Sequence, residues 1–204
     1  MGPKNVFIAA VLAAALALGV IVAMRMQTPA ELHSAFVLPT PTPLPEFELV
    51  NQKGEGVTLE TFRNHWSLVF FGFTHCPDIC PTTLQILSVA RKTLADNGQQ
   101  PLPRIVLVSV DPERDTPELM AQYMSYFGDD NLGITGSLDE VKKLTTELGI
   151  FFAKQQGNEE SYSVDHSAAV LVINPEAEFH ALFGGTHQIE NFVKDVPLIM
   201  DAYR

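Results

Sequence analysis

Only two of the 204 residues are cysteine, at positions 76 and 80. So sparse a supply excludes a disulfide-stapled scaffold. Closing a loop of about five residues contributes roughly 2 kcal/mol, against about 4.7 for a hundred-residue loop, and a chain this long buries a core without it. The pair is present for its chemistry. Basic clusters are also missing: the formal net charge is −11, with 24 acidic against 13 basic residues. Nucleic acid is therefore a poor partner. The chain shows no internal repeat, and no Arg- and Ser-rich transit segment opens it.

What is there begins with a run that holds both thiols, Phe71-Gly72-Phe73-Thr74-His75-Cys76-Pro77-Asp78-Ile79-Cys80-Pro81. The apolar residues Leu68-Val69-Phe70-Phe71 lead into it and a helical pattern opening at Pro81 leads out. A short strand, a turn carrying two thiols and a helix N-terminus form a redox or soft-metal device. The positive dipole end of that helix is expected to favour thiolate over thiol.

One long hydrophobic run stands apart. Val6 to Met24 is uncharged and flanked by Lys4 and Arg25; at 1.5 Å per residue it spans roughly 28 Å, close to a bilayer's hydrocarbon thickness. It exceeds a normal signal-peptide core, so residues 1–26 are read as an uncleaved membrane anchor. Beyond Arg25 the next Lys or Arg is Lys53, so the positive-inside rule keeps the N-terminus in the cytoplasm of a bacterium and places the rest on the periplasmic side. That compartment is oxidising, and a cysteine pair there is a disulfide unless something reduces it.

Residues 27–45 read as a Pro-rich extended linker, because Pro39, Pro41, Pro43 and Pro45 alternate with other residues. The globular part, 46–204, is expected to open with a β-hairpin, Phe47 to Val50 and Val57 to Leu59. Continuous apolar runs at Ser67–Phe73, Ile105–Val110 and Ala168–Ile173 fit central strands covered on both faces. Helices are expected from Leu84, Leu87, Ala90 and Leu94, from the Thr116-Pro117 cap, and from the capping box at Ser137. A last strand, Phe179 to Phe183, precedes a helical tail with Pro197 expected to kink it. The pattern is α/β: a thioredoxin-like fold with an N-terminal β-hairpin extension, preceded by one transmembrane helix. It departs from thioredoxin in having three residues between the thiols, and Val164-Asp165-His166-Ser167 where thioredoxins carry a cis-proline.

Those departures fit another family. The stretch from Phe71 through Cys76, Cys80 and Pro81 to Leu84 resembles the signature of the Sco/SenC copper chaperones. Ser109-Val110-Asp111-Pro112-Glu113-Arg114-Asp115-Thr116-Pro117 and Tyr162-Ser163-Val164-Asp165-His166-Ser167 resemble it too. The similarity runs in order from about Pro45 to the C-terminus. It implies a metallochaperone, not an enzyme, that delivers copper to the CuA centre of cytochrome c oxidase. It also implies Cys76, Cys80 and His166 as ligands to Cu(I) and Cu(II), with Cys76 and Cys80 a redox-active pair. A thiol reductant or an upstream copper donor would serve it. Soft Cu(I) prefers thiolates, and an imidazole lets the site also hold Cu(II), although the same set could hold Zn(II).

The remaining candidates rank lower. His75 abuts Cys76 but adjacent side chains in an extended turn diverge. His33 lies in the linker, and His65, His180 and His187 read as surface or cap residues. The charges of Asp111, Glu113, Arg114 and Asp115 read as fixing their loop, and Asp78 as a tuning or partner-facing group. No Met-x-Met cluster marks a second copper site. The alternative function is a thiol–disulfide reductase that keeps the oxidase cysteines reduced. It needs only Cys76 and Cys80. A peroxidase would want an arginine near Cys76, and none is near in sequence.

Overall fold

A strand with both faces covered has no polar face to show, and the three continuous apolar runs become the middle of one sheet. The computed structural model describes residues 31–128, 130–155 and 162–203, with a few positions before residue 20. The chain divides into a unit of Met1–Glu31 and a unit of Leu32–Arg204. Most of the apolar run of the expected anchor, 6–24, lies outside the described residues. Among the described residues no helix is long and apolar enough to cross a membrane.

In chain order the strands are β1 (Ala35–Pro43), β2 (Leu49–Asn51), β3 (Gly56–Val57), β4 (Ser67–Gly72), β5 (Arg104–Ser109), β6 (Leu132–Thr135), β7 (Phe152–Lys154), β8 (Val164–His166), β9 (Val170–Ile173) and β10 (Glu178–Phe183). The α-helices are α1 (Ile79–Asp96), α2 (Pro117–Ser125), α3 (Leu138–Glu147) and α4 (Ile189–Ala202). Eight strands form one sheet in the order β1-β10-β9-β4-β5-β6-β2-β3, and β7 pairs with β8 apart from it. The strands β4, β5 and β6 run parallel, whereas β9 is antiparallel to β4 and to β10. This is the expected thioredoxin-like succession. The expected hairpin is β2–β3, and it extends the main sheet through β6.

The pleat assigns each helix a face. Gly72 and Leu107 face Cys80 of α1, and Gly133, in register with Leu107, faces Met120 and Met124 of α2. On the other face Val69, Phe71 and Val108 line a small cavity together with Leu144 of α3 and Leu148 just beyond it. The helix starts follow their caps: the Thr116 hydroxyl accepts from Leu119 N–H, and the Ser137 hydroxyl from Glu140 N–H. The last helix, α4, continues through Pro197.

The linker expected over 27–45 is corrected. Residues 35–43 form an edge strand paired antiparallel with β10, and the folded unit begins at Leu32, not at 46. Polyproline and β backbones are both extended, so the prolines are compatible with either. They lack N–H groups to donate, and the ladder is interrupted between Val37 and Thr42, where Pro39 and Pro41 lie. The strand is secured at its start instead. The buried Asp195 carboxylate of α4 accepts from the N–H groups of His33, Ser34 and Ala35 at 2.7, 2.7 and 2.8 Å.

Candidate metal centre

At the end of β4 the Gly72 carbonyl accepts from Val110 N–H at 2.9 Å, and the chain then leaves the sheet. Cys76 N–H donates back to the Phe73 carbonyl at 3.3 Å, closing a turn, and Asp78 caps α1 without a side-chain bond. Cys80 therefore sits in the first turn of α1. Its N–H points at the Cys76 sulfur, 3.4 Å away. Both thiols are free; Cys76 keeps 9% of its surface open and Cys80 none.

His166 arrives from a place read only as a loop. It ends β8, where it pairs with Phe152, and four residues later β9 begins at Val170 opposite Phe70. That short return holds the imidazole over the end of β4. Its ring stands edge-on to Phe70 and Phe73, with centroids 5.7 and 5.8 Å away. Nδ1 lies 3.1 Å from the Ser167 carbonyl, which can only accept, so Nδ1 carries the proton. The Nε2 lone pair is thereby left facing the Cys80 sulfur at 3.3 Å. The two sulfurs and an imidazole nitrogen lie within 4.8 Å of one another.

Burial controls the electrostatics. It pushes the Cys80 thiol well above its ordinary range, helped by the bond to Cys76, and it pushes His166 below 6.5. The thiolate expected from the helix N-terminus does not form at Cys80. The dipole is worth about 0.3–1 kcal/mol, and desolvating a fully buried thiolate outweighs it. Burial thus keeps the proton on Cys80, whose sulfur lies 3.3 Å from Nε2.

A buried carboxylate holds the thiol-bearing turn in place. Asp115 accepts from Thr74 N–H at 3.1 Å, from the Thr74 hydroxyl at 2.5 Å and from the Ser109 hydroxyl at 2.6 Å. The charges of 111–115 do fix their loop: Asp111 accepts from Arg114 and from the Tyr162 hydroxyl, each at 2.5 Å, and the guanidinium lies over the Tyr162 ring. His75 turns away from the sulfurs, toward the Thr74 hydroxyl at 3.1 Å. His180 is not a surface residue; it is buried edge-on between Trp66 and Tyr203. Gly72, Phe70, Phe73 and Asp115 all lie in stretches that the sequence singles out, but their roles beside Cys80, His166 and Thr74 depend on contacts that sequence spacing does not show.

A family model described as SCO1/SenC matches residues 39–201. The chain belongs to the SCO1/SenC family. A relative named putative copper-binding protein, from Stutzerimonas stutzeri, is 32% identical over 171 residues, covering 84% of this chain and 83% of that protein. The human mitochondrial SCO2 homolog is 36% identical over 161 residues, and the match spans 78% of this chain but 60% of the human protein. The crystal structure of Arabidopsis thaliana ScoI with copper bound superposes with a TM-score of 0.73 at 32% identity, covering 78% of this chain and 98% of that one. Within this SCO1/SenC fold, two sulfurs and a neutral imidazole can do two things: hold a soft cation, or exchange a disulfide.

Proposed function

We propose that the chain is a copper metallochaperone. It binds copper, as Cu(I) or Cu(II), through Cys76, Cys80 and His166, and delivers it to the CuA-bearing subunit of cytochrome c oxidase. An anchor within 1–26 holds it on the periplasmic side of a bacterial cytoplasmic membrane. The observation that carries this reading is the convergence of three soft or borderline ligand atoms within 4.8 Å, with the Nε2 lone pair already freed. The copper-bound relatives support the choice of metal over zinc. Binding must displace the Cys80 thiol proton, so affinity rises with pH, whereas the imidazole enters already neutral. Release begins at Cys76, the more open of the two cysteines.

The test is His166→Ala. Two thiolates still grip Cu(I), so its binding weakens only moderately, but they make a poor Cu(II) site. The thiolate-to-Cu(II) charge-transfer absorption is expected to be largely lost and assembly of the oxidase copper centre impaired. Disulfide exchange by Cys76 and Cys80 stays intact. Full copper binding and full oxidase assembly in His166→Ala, with failure of both in either cysteine variant, would overturn the ligand set.

A second reading, thiol–disulfide reductase, is favoured by one observation. Cys76 is partly open while Cys80 is fully buried behind it, the arrangement of an attacking and a resolving thiol. It predicts oxidase assembly that survives loss of His166.

A further inference from the structure

Gly72 has no left-handed φ, so backbone freedom does not require a glycine there. Space does. A Cβ at this position lies 2.9 Å from the Cys80 sulfur, 2.9 Å from Phe70 Cε1 and 3.3 Å from Leu107 Cδ1. Ordinary contact is 3.4–4 Å. All three neighbours are fully buried at 0% exposure, so none can swing into solvent. Phe70 is also one of the two rings against which His166 stands.

We propose that Gly72 is a positioning residue whose missing side chain is the seat of the Cys80 sulfur and sets its 3.3 Å approach to His166 Nε2. A methyl group at 72 lifts the sulfur from its seat or drives the Phe70 ring toward His166. Either movement changes the sulfur–nitrogen pair. The role rests on the copper-ligand reading for its spectroscopic consequence only, because the seat exists without metal.

Two measurements test it. In copper-loaded Gly72→Ala the thiolate-to-Cu(II) absorption is expected to shift and Cu(II) retention to fall about tenfold, the low end of what displaced supporting groups cost. Cu(I), which two sulfurs can hold alone, is affected less. In the metal-free protein a double-mutant cycle reads the contact directly: Cys80→Ser puts a smaller oxygen in the seat. Gly72→Ala should then lower the melting temperature less in the Cys80→Ser background than in the parent. Equal losses in the two backgrounds overturn the proposal. If Gly72→Ala fails to fold, recovery of a folded domain in Gly72→Ala/Cys80→Ser supports the seat. Continued failure overturns it, because the crowding then lies with Phe70 or Leu107. Coupled melts with an unchanged copper spectrum leave the seat standing and count against Cys80 as a ligand instead.

Discussion

Cys80 and His166 sit in one buried contact and titrate in opposite directions. Burial holds Cys80 above the ordinary thiol value of 9.0 and His166 below the ordinary imidazole value of 6.5. Above pH 9.0 the unfolded chain sheds the Cys80 proton while the folded chain keeps it, so stability falls as pH rises. Below pH 6.5 the unfolded chain takes up a proton that folded His166 refuses, so stability falls as pH drops. Reduced, metal-free protein is expected to be most stable between those values. Urea midpoints from about pH 5 to 10 check this. Cys80→Ser should flatten the alkaline limb and leave the acid limb alone. Identical alkaline limbs in both proteins would mean that the Cys80 thiol is not shielded.

Among the elements, β1 has a ladder broken between Val37 and Thr42 and is tied at its start by Asp195. Removing that carboxylate strands three backbone donors, which costs about 3 kcal/mol for a charge-assisted, partly buried set. Asp195→Ala should lower the urea midpoint accordingly and open residues 36–43 to proteolysis while α1 stays protected. Cleavage no faster than in the parent would dismiss the latch. The same elements show where sequence is legible. β4, β5 and β9 could be read because burial of both faces forbids polar residues, and the helix starts because Thr116 and Ser137 carry their own caps. β1 could not, since alternating prolines describe a free polyproline segment as well as an edge strand. Asp195 looks like any carboxylate on a helix until the chain's first strand folds back over it. His166 was found through its motif alone; the three residues of β8 give too short a pattern to announce a strand. Gly72 needed coordinates, because a missing Cβ matters only once a sulfur is known to sit where it would be.

For the molecule as a whole, the reading of an anchored periplasmic domain makes a direct prediction. Protease added to spheroplasts should release a fragment that begins near Leu32, where the folded unit starts. Full protection, or a mature N-terminus near Leu18, overturns the anchor. Strand register adds a consequence. Ala35 lies opposite Phe183, Phe183 opposite Val170, and Val170 opposite Phe70, two residues before the glycine under the Cys80 sulfur. Three strand spacings, about 14 Å, separate that entry point from β4. The chain thus joins the sheet on the same rim from which the thiols open, while Trp66, His180 and Tyr203 cluster at the start of β4, on the opposite rim. Entry into the fold and the opening of the thiols thus share one rim of the sheet, three strands apart.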